Sequence, residues 1–150
     1  MTLQYMLIIL KKYIFYKHSQ IGGAIHMIGN MISKIRKEKG IKLALATSSS
    51  RDYAMKCLKD AGIDTYFDGI VCGDMVSHSK PDPEIYLRAC ELVGVNPKDA
   101  VAFEDAPAGI ESAYRAGMKV IMVPDLVQPT EKIASMLWKK WETLEDIFKM

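Results

Sequence analysis

Glu104 and Asp105 are adjacent carboxylates carried by the apolar run Val101-Ala102-Phe103 into a turn, and Ala106-Pro107-Ala108-Gly109-Ile110 opens a helix directly after them. Side chains alternate faces along a strand, but at the turn that alternation breaks, so both acids can converge on one hard cation with oxygen ligands. Magnesium is the first candidate. In an open α/β sheet the crevice beyond the strand ends is where ligands bind, which makes this turn a site candidate. A plainer account stands beside it, because acids ahead of a helix also complement its N-terminal dipole. Two further polar sets fall at comparable places: Thr47-Ser48-Ser49-Ser50 follows the run Leu43-Ala44-Leu45-Ala46, and Lys80 stands just before Asp82-Pro83. A hydroxyl with exposed backbone amides can bind phosphoryl oxygens, and a lysine can neutralise charge that develops in phosphoryl transfer. Paired acids can hold the magnesium that joins phosphate to protein. Singly, Thr47 reads as a turn residue and Lys80 as a solvated charge; together on one rim they describe a phosphate site.

The segments that must position these groups alternate in type. Residues 28–39 place Ile28, Met31, Ile32 and Ile35 on one helical face and stop at Gly40. Residues 42–46 form a strand-length apolar run, after which Ser50 can cap a helix over 51–61 that ends at Gly62. Residues 69–73 make a third apolar stretch bounded by glycines, and Asp82-Pro83 starts a helix ending at Gly94. Residues 100–103 as strand, about 108–116 as helix with Gly117 as its stop, and 119–123 as strand complete the repeating pattern. Residues 130–140 and 143–149 read as terminal helices, with Trp138, Trp141 and Phe148 as core anchors. The fold class expected is α/β: a Rossmann-like parallel sheet with flanking helices.

Composition bounds the rest. A chain of 150 residues with 49% hydrophobic and 25% charged residues fits one soluble domain with a sizeable core, and a net charge of +2 gives no pull towards nucleic acid or a membrane surface. Cys57, Cys72 and Cys90 lack Cys-x-x-Cys spacing, which fits reduced thiols filling the core of a cytoplasmic protein. The apolar run 5–10 is interrupted by Lys11 and Lys12, too short to span a bilayer and without a secretory leader's pattern. His18, His26 and His78 have no spacing that suggests a shared metal, and Arg51 reads first as a solvent-facing residue at a helix start.

Over residues 28–149 the chain resembles the haloacid dehalogenase-like superfamily, in particular the branch of β-phosphoglucomutase and related sugar-phosphate phosphatases. Leu43-Ala44-Leu45-Ala46-Thr47-Ser48-Ser49 is similar to the family's second motif, with Thr47 at the phosphate-binding hydroxyl. Gly73-Asp74-Met75-Val76 and Ser79-Lys80-Pro81-Asp82-Pro83-Glu84-Ile85-Tyr86 resemble the third, with Lys80 as its lysine. Phe103-Glu104-Asp105-Ala106-Pro107-Ala108-Gly109-Ile110 resembles the fourth, with Glu104 and Asp105 at the metal-binding acids and Ala106 where a serine is common. The resemblance implies Thr47 and Lys80 in catalysis, Thr47, Ser48 and Lys80 on phosphate, Glu104 and Asp105 on Mg2+, and a small phosphorylated metabolite as substrate.

One departure decides what is expected of this chain. Members begin with a strand ending in Asp-x-Asp, the first aspartate being the nucleophile, and here no two aspartates stand two residues apart. Positioning by Thr47 and Lys80 cannot replace a nucleophile in line with phosphorus, so the 150 residues are expected to be N-terminally truncated and catalytically impaired on their own. In the resembled fold that strand is central, between the strands that 43–47 and 100–103 would form. Its loss leaves edges that invite association, and a homo-oligomer is one outcome. Residues 1–27 stay open between a remnant of the cap's last helix and a replacement strand at 5–10, ahead of a core at 28–150. The alternative function is a non-catalytic phosphate- or metal-binding module, or an oligomeric interaction module. An upstream segment carrying the missing strand is a further expectation.

Overall fold

In a computed structural model, which describes Ser33, Arg36, residues 40–123 and 127–142, and Asp146, apolar runs and glycine stops are converted into alternating strands and helices. The strands are β1 (Ala44–Ala46), β2 (Gly69–Val71), β3 (Val101–Glu104), β4 (Lys119–Met122) and β5 (Lys139–Lys140). The helices are α1 (Arg51–Asp60), α2 (Glu84–Val93), α3 (Pro107–Arg115) and the single turn α4 (Glu131–Ala134). All strand pairings are parallel: β1 lies on β2 with Leu45 opposite Ile70, β3 on β4 with Phe103 opposite Ile121, and β4 on β5 with Ile121 opposite Lys139. Among the described residues the strands therefore fall into two sheets, β1-β2 and β3-β4-β5.

Parallel strands covered on both faces read as continuous apolar runs, and the core shows why. Leu43, Leu45, Val101, Phe103, Ile121 and Val123 point to one side, where they pack with Leu58 of α1 and Trp141. Ala44, Ala46, Ala102, Val120 and Met122 point to the other, against Ile85, Tyr86, Ala89 and Cys90 of α2 and Ile110 and Ala113 of α3. Each cluster draws residues from both sheets, so the two sheets share one sandwich of α1, strands, and α2 with α3. Small alanines on the second face let two helices sit close, and the larger side chains fill the first.

Local signals act as the sequence predicts. The Ser50 hydroxyl accepts from the Tyr53 amide at the start of α1. Asp82 Oδ1 accepts from the Glu84 amide at 2.9 Å at the start of α2, and Gly94 ends that helix at φ 73°, a left-handed value that glycine tolerates without strain. The Gly40 amide reaches Arg36 O at 3.1 Å, as in a helix end; the remainder of the expected helix 28–39, apart from Ser33 and Arg36, lies outside the described residues.

One expectation is corrected. Residues 130–140 do not form a single helix: α4 stops at Ala134 and the chain turns into β5. The Trp138 amide bonds Val120 O at 2.8 Å and the Trp141 amide bonds Met122 O at 2.9 Å, so the open edge of β4 captures this segment. Trp141 then packs on Phe103 with ring centroids 5.2 Å apart, and Lys139 and Lys140 leave an exposed, charged outer strand. Residues 1–27 and most of 143–149 lie outside the described residues. No helix among the described residues is long and apolar enough to cross a membrane.

Candidate functional site

Thr47 is the first residue past β1 and is wholly buried; its amide bonds Val71 O at 3.0 Å and its Oγ1 accepts from the Ser49 amide at 3.2 Å. That bond closes a turn over Ser48, which is exposed, and sends the chain into α1. The loop leaving β2 holds the turn from outside. The Gly73 amide bonds Ser49 O at 2.8 Å, and a Cβ on Gly73 would stand 2.2 Å from Ser48 O, so only glycine permits this approach. Asp74 accepts from the Arg51 amide at 3.2 and 3.0 Å, giving the N-terminus of α1 a negative charge.

Lys80 comes from the next loop, which is strapped down on three sides. Glu84 accepts from the Ser77 amide at 2.9 Å and from the His78 amide at 2.9 Å, while Arg88 donates to Met75 O at 2.7 Å. The buried Ser112 hydroxyl of α3 donates to Asp82 O at 2.6 Å, and Arg115 donates to Pro81 O at 3.1 Å. The Ser77 amide is the main reason the Glu84 carboxyl is held below its ordinary value, assisted by His78 and Arg88 against partial desolvation. His78, Asp82 and Glu84 bring ligand atoms within 4.8 Å of one another, but both Glu84 oxygens already serve backbone amides, so the group acts as a loop strap.

So held, Lys80 reaches the end of β3. Its ammonium lies 2.7 Å from Glu104 Oε1, with the two side chains 8% and 1% exposed, a degree of burial that requires pairing. The Tyr86 hydroxyl, from the first turn of α2, donates to the same oxygen at 2.6 Å, and the ammonium stands 5.0 Å from the tyrosine ring centroid. Burial, then the Glu104 charge and its hydrogen bond, then Asp105, push the Tyr86 hydroxyl well above its ordinary value, so it remains a donor. Among the described residues Glu104 Oε2 accepts only the Asp105 amide, at 3.3 Å. Room for this inward carboxylate comes from Gly109, where a Cβ would meet Glu104 Cδ at 2.1 Å. Asp105 is half-buried.

The donor set fits a magnesium ion in part. Glu104 Oε2 has spare acceptor capacity beside the Asp105 carboxylate, and a hard cation held by one or two carboxylates retains waters and phosphate oxygens as its other ligands. The helix-dipole account of these acids is weaker, since neither lies in the first turn of α3 and Glu104 turns its carboxylate to Lys80 and Tyr86. Of the residues singled out from sequence, the structure joins Lys80 to Glu104 and Glu104 to Asp105, and leaves the Thr47 side chain engaged with Ser49 rather than with Lys80. Tyr86, Gly109, Ser112 and Glu84 gained no individual role from sequence. Tyr86 carried a usable signal: a tyrosine on the otherwise apolar face of Ile85, Ala89 and Cys90 must find its hydroxyl a partner.

Fold and site define a class first: a parallel α/β protein with a buried threonine just past β1 and a buried lysine–glutamate pair beside a second acid at the end of β3. The chain belongs to the haloacid dehalogenase-like hydrolases, whose family model matches residues 4–123. It is 47% identical over 85 residues to a phosphorylated carbohydrates phosphatase of Thermotoga maritima, covering 57% of this chain and 39% of that one. It is 39% identical over 98 residues to a validoxylamine A 7'-phosphate phosphatase of Streptomyces hygroscopicus subsp. limoneus, covering 65% and 44%. Among solved structures, CbbY from Rhodobacter sphaeroides in complex with phosphate superposes with a TM-score of 0.68 at 33% identity, over 77% of this chain and 52% of that one. A family phosphatase from Thermococcus onnurineus gives 0.71 at 27%, over 80% and 54%. The chain thus spans less than half the length of these two curated relatives.

Proposed function

We propose that this chain is the phosphate-handling core of a magnesium-dependent phosphatase or phosphoglucomutase-like protein acting on a small phosphorylated metabolite, and that these 150 residues turn over little or no substrate by themselves. The observation that carries the reading is the buried Lys80–Glu104 pair at the end of β3, which commits a cation and a carboxylate to the strand-end rim where Thr47 also sits. In this reading Thr47, the exposed Ser48 and Lys80 receive phosphoryl oxygens, and Glu104 with Asp105 holds Mg2+, which would neutralise charge on the phosphoryl group. Substrates of the curated relatives support a phosphorylated carbohydrate or similar metabolite. Impaired turnover rests on chemistry: orientation and charge stabilisation act on an attack that a nucleophile must make, and no Asp-x-Asp occurs in the sequence.

Calorimetry with inorganic phosphate and MgCl2 tests the binding half. Phosphate binding strengthened by Mg2+ and weakened by Thr47→Ala is the expected result, and no heat from either ligand at millimolar concentration would dismiss it. A second reading, an interaction module, is favoured by one feature: among the described residues β1 pairs only with β2 and β3 only with β4, so each has one edge without a described partner strand. Sedimentation velocity tests this second reading: self-association across the micromolar range is expected of the module, and a monomer at every concentration would dismiss it.

A further inference from the structure

We propose that Tyr86 is a positioning residue that divides the two oxygens of Glu104 between tasks, fixing Oε1 on Lys80 and leaving Oε2 to a divalent ion beside Asp105. The inference rests on the reading of Glu104 and Asp105 as the acids that hold Mg2+. Three observations carry it. Among the described residues Oε1 takes two donors, Lys80 Nζ at 2.7 Å and Tyr86 Oη at 2.6 Å, whereas Oε2 takes only the Asp105 amide at 3.3 Å. A carboxylate oxygen with two short charge-supported bonds has little capacity left for a cation, while its partner retains lone pairs. The tyrosine itself cannot drift: it is wholly buried, it sits in the first turn of α2, and its ring packs in the same core as Ile85, Ala89 and Ile110.

Without the hydroxyl, Lys80 and the long Asp105 amide bond would be left to hold Glu104, and a single flexible ammonium chooses weakly between two carboxylate oxygens. The carboxylate could then offer either oxygen, or both, to the lysine, and the geometry open to the ion would be lost for part of the time. Gly109 bounds the same rotation from the other side, since any side chain there would overlap the Glu104 carboxyl carbon. Tyr86 and Gly109 therefore bracket one rotamer of Glu104, the first by attraction and the second by leaving space.

Tyr86→Phe removes one oxygen and keeps the ring, so the variant retains its packing. Two measurements apply to wild type and variant: the Mg2+ dissociation constant by calorimetry, and the rate at which Lys80 is reductively methylated, followed by mass spectrometry. The expected result is Mg2+ binding weakened about tenfold, as for other groups that orient a metal ligand, with Lys80 methylated severalfold faster. Thermal unfolding serves as the control, because a hydroxyl with a purely structural role would lower Tm and leave both ratios near one. Equal Mg2+ constants, or equal methylation rates, would overturn the proposal and leave the phosphate reading standing. Absence of Mg2+ binding by the wild type would overturn the metal reading and this inference with it, and the two failures are told apart by whether the wild type binds.

Discussion

Lys80 and Glu104 are both nearly out of reach of water, so each depends on the other for its charge to be tolerated. Lys80→Met keeps the length and removes the charge, leaving Glu104 buried with Tyr86 and one amide. Chemical denaturation should register a loss of about 3–5 kcal/mol, the range for breaking a buried pair from one side. Gly109→Ala pits two effects against each other. Alanine gains about 1 kcal/mol of helix propensity over glycine, while overpacking costs about 1–3 kcal/mol, and here the overlap falls on a carboxylate pinned by Lys80 and Tyr86. The overlap should win, with a lower denaturation midpoint. Ionisation adds two signs. Tyr86 is raised in the folded state, so its contribution is complete below its ordinary value of 10.0 and declines above it as the unfolded chain ionises. Glu84 is lowered, so its strap is intact above its ordinary value of 4.5 and is lost as pH falls through the depressed folded value. Following the Ser77 and His78 amide shifts by NMR should show them titrating together below 4.5.

The turn between β1 and α1 depends on the loop after β2 more than on its own residues. Gly73→Ala would press a methyl carbon to 2.2 Å from Ser48 O, a backbone atom that cannot rotate away. Phosphate affinity should fall at least severalfold in calorimetry while the circular dichroism spectrum stays near wild type; unchanged affinity would mean that this turn does not contact phosphate. At this scale the sequence was legible where burial is symmetric. Strands β1 to β4 read as apolar runs because both of their faces are covered, and Gly62, Gly94 and Gly117 marked helix ends because the chain there needs a left-handed residue. Strand β5 was hidden because two lysines carry no strand pattern, and Trp138 and Trp141 are spaced as well for one helix face as for neighbouring ladder bonds. The edge of β4 decided between them, and that is a tertiary fact. Thr47, Lys80, Glu104 and Asp105 stood out as polar residues at strand ends. The inward turn of Glu104 did not, because it needs space at Gly109 and a hydroxyl from α2.

Across the whole molecule, two side-chain clusters bind the β1-β2 and β3-β4-β5 sheets into one layer between α1 on one face and α2 with α3 on the other. Thiol chemistry reports on that layer. Cys72 and Cys90 are buried, and burial pushes the Cys90 thiol up to about 11, whereas Cys57 is half-buried on α1. A native thiol titration at neutral pH should label Cys57 first and reach the other two only on unfolding; early reaction at Cys90 would mean that α2 is not seated on the sheet. The same layer brings Thr47 to the C-terminal end of β1 and Glu104 with Asp105 to that of β3, where Lys80 reaches Glu104 from the loop ahead of α2; the function proposed above makes this the phosphoryl site and assigns these residues no attacking oxygen. The most direct measurement is magnesium-dependent hydrolysis of an aryl phosphate by the purified chain. Release no faster than that of Asp105→Ala, together with retained phosphate binding, is the predicted result. Turnover that Asp105→Ala abolishes, or a phosphorylated aspartate recovered from the wild type, would contradict it.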